Sequence, residues 1–419
     1  MALIKKPMTG MKDILPREMQ IRDYLISLIK ETYASFGFTT IETPAVENIA
    51  NLLSRQGGEN EKLIFKILKR GEKLKLDAAA SEADIADGGL RYDLTVPLVR
   101  FYSNNAASLP SPFKALQIGP VWRADRPQKG RFRQFYQCDI DILGEPGNLA
   151  EIELILATTT TMGRIGFKNF RIKINERRIL KAMAAYSGFP EEDYDSVFII
   201  LDKMDKIGLE GVKDELIKAG YSQQTVDKYA MLFDGIRNSE DGLSYVCDKI
   251  QEYLEPDVKE NLSEIIASVN GTKEYDFEVV FDPSLVRGMS YYTGTIFEIE
   301  VPEFGSSVGG GGRYDKMVGK FTGHDTPACG FSIGFERIVT ILLDNGFRIP
   351  GGRKKTAFLI EKGIQSQMLC DIIKEAQDTR KSGVDVLVVR MNKNKKFQKE
   401  QLEKEGYSEI KEFYKNPIK

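Results

Sequence analysis

The chain of 419 residues has a formal net charge of −2 and a pI near 5.9, so any nucleic-acid surface must be local and polybasic binding through overall charge is excluded. Its length allows about two or three domains with a sizeable core, and no run of about 18 apolar residues offers a membrane span. Four scattered cysteines, Cys138, Cys247, Cys329 and Cys370, with no C-x-x-C pair and no secretory leader, suit reduced thiols in a soluble cytoplasmic protein, and a lone histidine, His324, in a Gly/Thr/Pro-rich loop, excludes multi-histidine zinc sites and leaves little room for a Ser-His-Asp triad.

Pro16 suits the first turn of a helix, and Met19, Leu25, Leu28, Ile29 and Tyr33 recur at helical spacing until Gly37 stops it. Phe38–Glu42, Leu63–Lys69, Ala115–Val121 and Gln134–Ile142 read as strands, largely of one antiparallel sheet. Asp77–Gly89, rich in Ala, Asp and Glu, is the one low-complexity stretch and reads as a mobile piece. A second long helix is expected over Leu149–Gly166 and a strand over Phe170–Asn175. From Arg178 to Asn270, Leu, Ile and Met recur at helical spacing among Lys and Glu, which predicts a helical module inserted into the sheet domain. Strand patterns resume at Tyr275–Phe281 and Thr293–Val301, and a last helix of that domain begins near Gly334.

The run Pro350-Gly351-Gly352-Arg353-Lys354-Lys355 reads as a hinge. Beyond it, strands at Thr356–Ile360 and Val384–Val389 flank a helix from Gln365 to Lys381, a βαβ pattern that predicts a small α/β domain over Thr356–Lys419. The fold expected is α+β: a discontinuous sheet domain at 1–177 and 271–349, the helical insert at 178–270, the hinge at 350–355 and the α/β domain at 356–419.

Chemistry-bearing residues fall into three clusters. In the first, Ile118 to Asp141, the cations Arg123, Arg126, Lys129, Arg131 and Arg133 are interleaved with aromatic residues. That mixture suits phosphate neutralisation with base stacking, although taken alone it slightly favours an exposed charged hairpin. The second joins L-V-R-G-M-S-Y-Y-T-G at 285–294 to S-V-G-G-G-G-R-Y-D at 307–315. Gly309 to Gly312 imply close backbone approach to a ligand or another strand, but the glycines fit neither a dinucleotide fingerprint nor a P-loop. Arg287, between Val286 and the pair Tyr291–Tyr292, calls for an anionic partner, either a ligand or a structural carboxylate. The third, A-C-G-F-S-I-G-F-E-R-I at 328–338, places Arg337 at the start of an apolar helical pattern.

In this order the clusters resemble the signature of class II aminoacyl-tRNA synthetases, specifically the family of histidine enzymes, over roughly Pro7 to Asn345. R-G-M-S-Y-Y-T-G and G-G-G-G-R-Y-D look like its two histidine-specific motifs, G-M-K-D-I-L-P at 10–16 like its opening, and F-G-F-T-T-I-E-T-P at 36–44 like motif 1, whose proline lies at a dimer interface. The resemblance implies a class II antiparallel sheet flanked by helices, a homodimer, and a ligase that activates histidine with ATP and transfers it to the 3′ end of tRNA(His).

The same resemblance assigns residues. Arg123 matches the motif 2 arginine on the ATP α-phosphate and the substrate carboxylate, and Arg287 the catalytic arginine on the α-phosphate. Phe135 and Arg337 match the two groups that enclose adenine, with Asp125 and Arg131 also on ATP. Asp93, Thr95 and Gln137 match the holders of the α-amino group, Asp141 and Tyr292 the readers of the imidazole, and Tyr291 and Tyr314 join the histidine site. Magnesium is expected on the nucleotide, with no metal site in the protein. Asp125 and Asp141 stand where relatives often carry glutamate, keeping the charge with a shorter reach.

The stretch after the hinge is shorter than the family's usual anticodon-binding domain. Its segment from Arg353 to Lys419 holds 16 Lys and Arg against 10 Asp and Glu, a surplus that fits RNA contact, notably at N-K-N-K-K (392–396), or a solvated helix start. Two other functions share the pattern: a synthetase-like regulatory subunit of ATP phosphoribosyltransferase, which binds histidine without aminoacylation, and a non-catalytic tRNA-sensing module. Retention of Arg123, Arg287 and Arg337 points to the enzyme.

Overall fold

The structure is a computed structural model and describes residues 3–53, 60–79, 81–126, 132–287, 291–302 and 305–416. The chain divides into two compact units, one of residues 1–14 and 22–344, the other of residues 15–21 and 345–419.

The larger unit is organised by an eight-stranded sheet. Its strands are β1 (Thr39–Thr40), β2 (Phe113–Trp122), β3 (Gln134–Leu143), β4 (Phe170–Glu176), β5 (Phe277–Phe281), β6 (Thr295–Val301), β7 (Ser306–Arg313) and β8 (Ala328–Ile333). They lie in the order β1-β2-β3-β8-β7-β6-β4-β5. The six central strands pair antiparallel, and the edge pairs β1/β2 and β4/β5 are parallel. Chain passage out of the sheet after β4 and back at β5 encloses the helical stretch from Arg177–Ser187 to Asp257–Thr272.

The opening helix runs Pro16–Ser35 and buries Leu25, Ile29 and Tyr33, and Gly37, at φ 82°, ends that segment in the left-handed region that glycine tolerates. Helix Leu149–Ile165 buries Leu154, Ile155 and Met162 and ends on Gly166 at φ 108°. It carries the fully buried Glu151, which takes two 2.7 Å hydrogen bonds from Arg313 at the end of β7. That bidentate pair anchors the strand that bears the four glycines.

Several elements differ from the sequence reading. Leu63–Lys69 contributes only the strand Lys66–Leu68, and not to the main sheet. It pairs with Ala86–Leu90, which also pairs with Val46–Asn48, in a separate three-stranded sheet. Within Asp77–Gly89, expected to be mobile, residues Glu82–Ile85 form a helical turn and Ala86–Leu90 the central strand of that small sheet. The physical reason is space: a Cβ at Gly89 would stand 2.8 Å from Leu52 and 2.9 Å from Ile64, so glycine permits the close packing that orders the segment. Strand β8 was not anticipated, because a short apolar run interrupted by Gly330 has no clear period.

The smaller unit has a three-stranded parallel sheet with Lys355–Ile360 between Asp385–Arg390 and Glu409–Phe413. Helix Ser366–Lys381 buries Ile372 and Ala376, and helix Lys395–Lys404 buries Leu402. The strand Glu409–Phe413 was not anticipated, since E-I-K-E-F alternates charge with apolar residues too briefly to stand out, whereas the second helix begins within N-K-N-K-K, where a helix start was one of the two readings. At N-K-N-K-K, Asn394 caps the second helix by accepting from the Phe397 amide at 3.1 Å, and Lys395 pairs with Glu412 at 2.7 Å. Among the described residues no helix is long and apolar enough to cross a membrane, the cysteines are unpaired, and His324 is exposed.

Candidate active site

A cavity of about 940 Å³ opens over one face of the main sheet. Arg123, Asp125, Phe135, Arg337, Asp93, Thr95, Gln137, Asp141, Arg287, Tyr291, Tyr292 and Tyr314 all line it, so residues spread over 245 positions of sequence meet in one place. Arg131, the remaining site residue singled out above, lies outside the described residues.

Strand register sets the order along the cavity. Alternation on β3 puts Phe135, Gln137, Asp139 and Asp141 on one face, a row about 20 Å long at about 3.3 Å per residue. Asp141 pairs with Gly330 of β8, which pairs with Gly312 of β7. One level along, Asp139 meets Ser332 and Gly310, and near the far end Gly334, whose amide bonds to the Val308 carbonyl at 2.7 Å, leads into helix Phe335–Asp344 with Arg337 in its first turn. Acids therefore occupy one end and the aromatic–arginine pair the other.

The glycines make that order possible. A Cβ at Gly330 would lie 2.0 Å from Asp141 Oδ1, and one at Gly310 would lie 2.4 Å from Arg287 Nη1, so both side chains lie flat across bare backbone. A Cβ at Gly311 would stand 1.9 Å from the Gly330 carbonyl oxygen, and that glycine is a packing requirement between strands. The four-glycine run thus serves both a neighbouring strand and the cavity.

The cationic groups are held by backbone and by carboxylate. Arg123 donates Nε–H to the Tyr92 carbonyl at 2.9 Å and sits 5.1 Å from the Phe135 ring centre. Arg287 pairs with Glu298 and lies 3.4 Å from Ser307 Oγ, which supplies the anionic partner its apolar neighbours call for. Arg337 donates to the Ser307 carbonyl. Its predecessor Glu336 takes a bidentate pair from the buried Arg22 at 2.7 and 2.8 Å and accepts from the Tyr136 amide at 3.0 Å. Arg22 lies 5.0 Å from the rings of both Tyr136 and Phe335. This clamp fixes the helix start beside Arg337, and the sequence reading missed it.

At the acidic end Asp141 is buried and accepts from Tyr314 Oη at 2.5 Å, while its Oδ2 and the Oε1 of Gln137 are buried without a hydrogen-bond partner among the described residues. Burial, opposed by the Tyr314 hydrogen bond and aided by the Asp93 charge, pushes the Asp141 carboxyl up to about 7. Burial likewise raises the Tyr291 hydroxyl to about 12 and Tyr292 and Tyr314 well above the ordinary tyrosine value, so all three remain neutral donors. Asp93 accepts from the Val96 amide at 3.0 Å, at the start of helix Thr95–Asn105. Two unfilled acceptors in a buried site call for a ligand with N–H donors.

Asp139 and Ser332 also line this floor and were not singled out from sequence. The signal was the period-two spacing of Gln137, Asp139 and Asp141 in a strand.

Comparison with known proteins agrees with the motifs. The sequence model of the family described as Histidyl-tRNA synthetase matches residues 10–338. A histidine–tRNA ligase of Leifsonia xyli subsp. xyli is 47% identical over 348 residues, covering 80% of this chain and 80% of that one. The crystal structure of a histidyl-tRNA synthetase from Nostoc sp. matches with a TM-score of 0.78 at 27% identity, covering 97% of this chain and 90% of that one. A structure titled as an ATP phosphoribosyltransferase regulatory subunit/histidyl-tRNA synthetase from Bacillus halodurans C matches with a TM-score of 0.76 at 19% identity, covering 98% of this chain and 99% of that one, a likeness of fold alone.

Proposed function

The chain belongs to the histidyl-tRNA synthetase family, and from that premise we propose that the cavity activates histidine with ATP before transfer to tRNA(His). It is a histidine–tRNA ligase, an α+β enzyme of the class II fold. The observation that carries the site assignment is the register of β3, β8 and β7, which sets N–H acceptors at one end of a single cavity and arginines at the other.

In this reading the imidazole enters at Asp141, whose free Oδ2 accepts one ring N–H while Tyr292 meets the other nitrogen. A competing apolar side chain would leave both polar groups unpaired, which is a stringent filter. Asp93, Thr95 and Gln137 take the α-amino group. Arg123 holds the amino-acid carboxylate against the ATP α-phosphate, on which Arg287 also stands, with adenine between Phe135 and Arg337.

Attack of the carboxylate oxygen on the α-phosphorus forms the acyl–phosphate bond and breaks the bond to the β-phosphate, releasing pyrophosphate. Charge grows on the non-bridging oxygens, and preorganised guanidinium groups there lower the barrier. No protein nucleophile is required. We place magnesium on the ATP phosphates, where it would neutralise charge, and Asp125 on the wall of the ATP end of the cavity. Release of pyrophosphate leaves histidyl-adenylate for the terminal ribose of tRNA.

The rest of the assignment follows the same premise. The catalytic domain spans 1–177 and 271–349 around the inserted helical domain 178–270, and after the hinge at 350–355 the segment 356–419, with its cationic surplus, is a shortened anticodon-binding-like domain. A cytoplasmic homodimer through the segment around the exposed Pro44 is part of the proposal. The test is charging of tRNA(His) with labelled histidine in the presence of ATP and magnesium. Accumulation of charged tRNA is expected; histidine binding without charging would favour a regulatory role and overturn it.

A further inference from the structure

One buried carboxylate in the cavity floor has no part in the reading above. Asp139 is 4% exposed and faces Ser332 across the pair with β8 and Gln117 across the pair with β2. Gln117 is committed elsewhere: its amide nitrogen donates to the Leu94 carbonyl at 3.0 Å, and its oxygen accepts from Thr43 Oγ1 at 3.2 Å. The amide nitrogen of Gln137 lies 3.2 and 3.5 Å from the two oxygens of Asp139 and 3.4 Å from Ser332 Oγ.

An amide in a cavity wall has two nearly isosteric orientations that differ in which end accepts. An ionised carboxylate only accepts, so it must receive the NH2 end of Gln137, and Oε1 then turns the other way. That oxygen is buried and has no hydrogen-bond partner among the described residues. The opposite orientation would press an NH2 against an incoming ammonium and would set oxygen against carboxylate. Burial and the Asp141 charge push the Asp139 carboxyl well up, whereas the Ser332 hydroxyl and Arg123 hold it down. A bound ammonium in the same cavity favours its ionised form.

We propose that Asp139 is a positioning residue, which fixes the amide of Gln137 so that Oε1 accepts from the α-ammonium of the amino-acid substrate. This rests on the histidine-activation reading of the cavity. It assigns to a residue outside the ligand contacts a share of the discrimination between an amino acid and a carboxylic acid that lacks the amino group.

The test pairs a variant with a truncated ligand. Asp139→Asn keeps the size of the side chain but offers either an acceptor or a donor, so it no longer fixes the orientation of Gln137. Histidine KM in ATP–pyrophosphate exchange should rise about tenfold, the scale of one hydrogen bond to a charged group, with ATP KM unchanged. The inhibition constant of imidazolepropionate, histidine without its amino group, should change less than about twofold. In a Gln137→Met background the same Asp139→Asn change should have no further effect on histidine KM.

Equal weakening of histidine and imidazolepropionate would show a merely structural role and overturn the proposal, as would an unchanged histidine KM or full additivity with Gln137→Met. Should Asp139→Asn fail to fold, Asp139→Ser is read by the same criteria. Absence of histidine-dependent exchange in the unmodified protein would instead overturn the activity assignment, so the two failures are distinguishable.

Discussion

The imidazole-reading role proposed for Asp141 comes with a cost to the ligand-free fold, and Asp141→Asn separates the two. Its carboxyl is buried, with one oxygen hydrogen-bonded to Tyr314 and the other unpartnered among the described residues, and its pKa stands at about 7 against an ordinary 3.8. The folded pKa is the higher one, so the stability attached to its proton is fully present below the unfolded value and is lost as pH rises through about 7. At 1.36 kcal/mol per pH unit, moving the midpoint from 3.8 to about 7 corresponds to about 4 kcal/mol of destabilisation by the ionised form. Asparagine resembles the protonated acid and still accepts from Tyr314. The ligand-free variant should therefore melt roughly 5 °C higher than the unmodified protein at pH 8, and at the same temperature near pH 4. Histidine affinity should fall at pH 8, because the imidazole N–H loses a charged acceptor. Differential scanning calorimetry at the two pH values reads the first effect and titration calorimetry with histidine the second. Equal melting at pH 8, or lower melting of the variant there, would refute the reasoning.

Arg287→Ala should lower the rate of adenylate formation about 100- to 1,000-fold while histidine binding stays largely intact; rapid-quench kinetics with equilibrium dialysis would show a misassigned role if both fell alike. Arg22→Met strands the Glu336 carboxylate, which is 11% exposed beside Tyr136 and Phe335, and should cost about 3 kcal/mol or more in urea unfolding; a loss under about 1 kcal/mol would mean that the clamp contributes little. Gly311→Ala forces a Cβ to 1.9 Å from the Gly330 carbonyl oxygen, and with no flexible neighbour to give way it should destabilise by more than about 3 kcal/mol, a result that soluble expression and thermal melting would contradict if both were unaltered.

The parts of the site that were legible in sequence are those whose chemistry is packed into short spans. Arg123 with Asp125, Arg287 with Tyr291 and Tyr292, and the glycine run each lie within about a dozen residues, and residue type alone narrows their use. What remained hidden depends on register. Asp139 gains meaning only when β3 lies beside β8 and its neighbours Gln137 and Ser332 fall on the same face. The Arg22–Glu336 clamp joins positions 314 residues apart, and nothing near either residue signals the other.

Elements of the fold divide in the same way. Long periodic segments such as Pro16–Ser35 and Leu149–Ile165 are readable because amphipathic spacing repeats over several turns. The small sheet formed by Val46–Asn48, Lys66–Leu68 and Ala86–Leu90 is not, since three strands of three to five residues, one built on Gly88 and Gly89, have little pattern of their own. Their order comes from tertiary contact of Gly89 with Leu52 and Ile64. The parallel edges of the main sheet follow from which strands happen to meet, and no local residue pattern encodes that pairing.

The central claim is that one cavity selects histidine by its two ring nitrogens and activates it at a cluster of arginines. ATP–pyrophosphate exchange measured with each of the standard amino acids in turn tests it most directly. Histidine should support exchange, and asparagine, glutamine, phenylalanine and leucine should give rates lower by a factor of about 10,000 or more, as expected where a site built around hydrogen bonds meets a ligand that leaves them unmade. Exchange that is independent of histidine, or comparable with an apolar amino acid, would contradict the account.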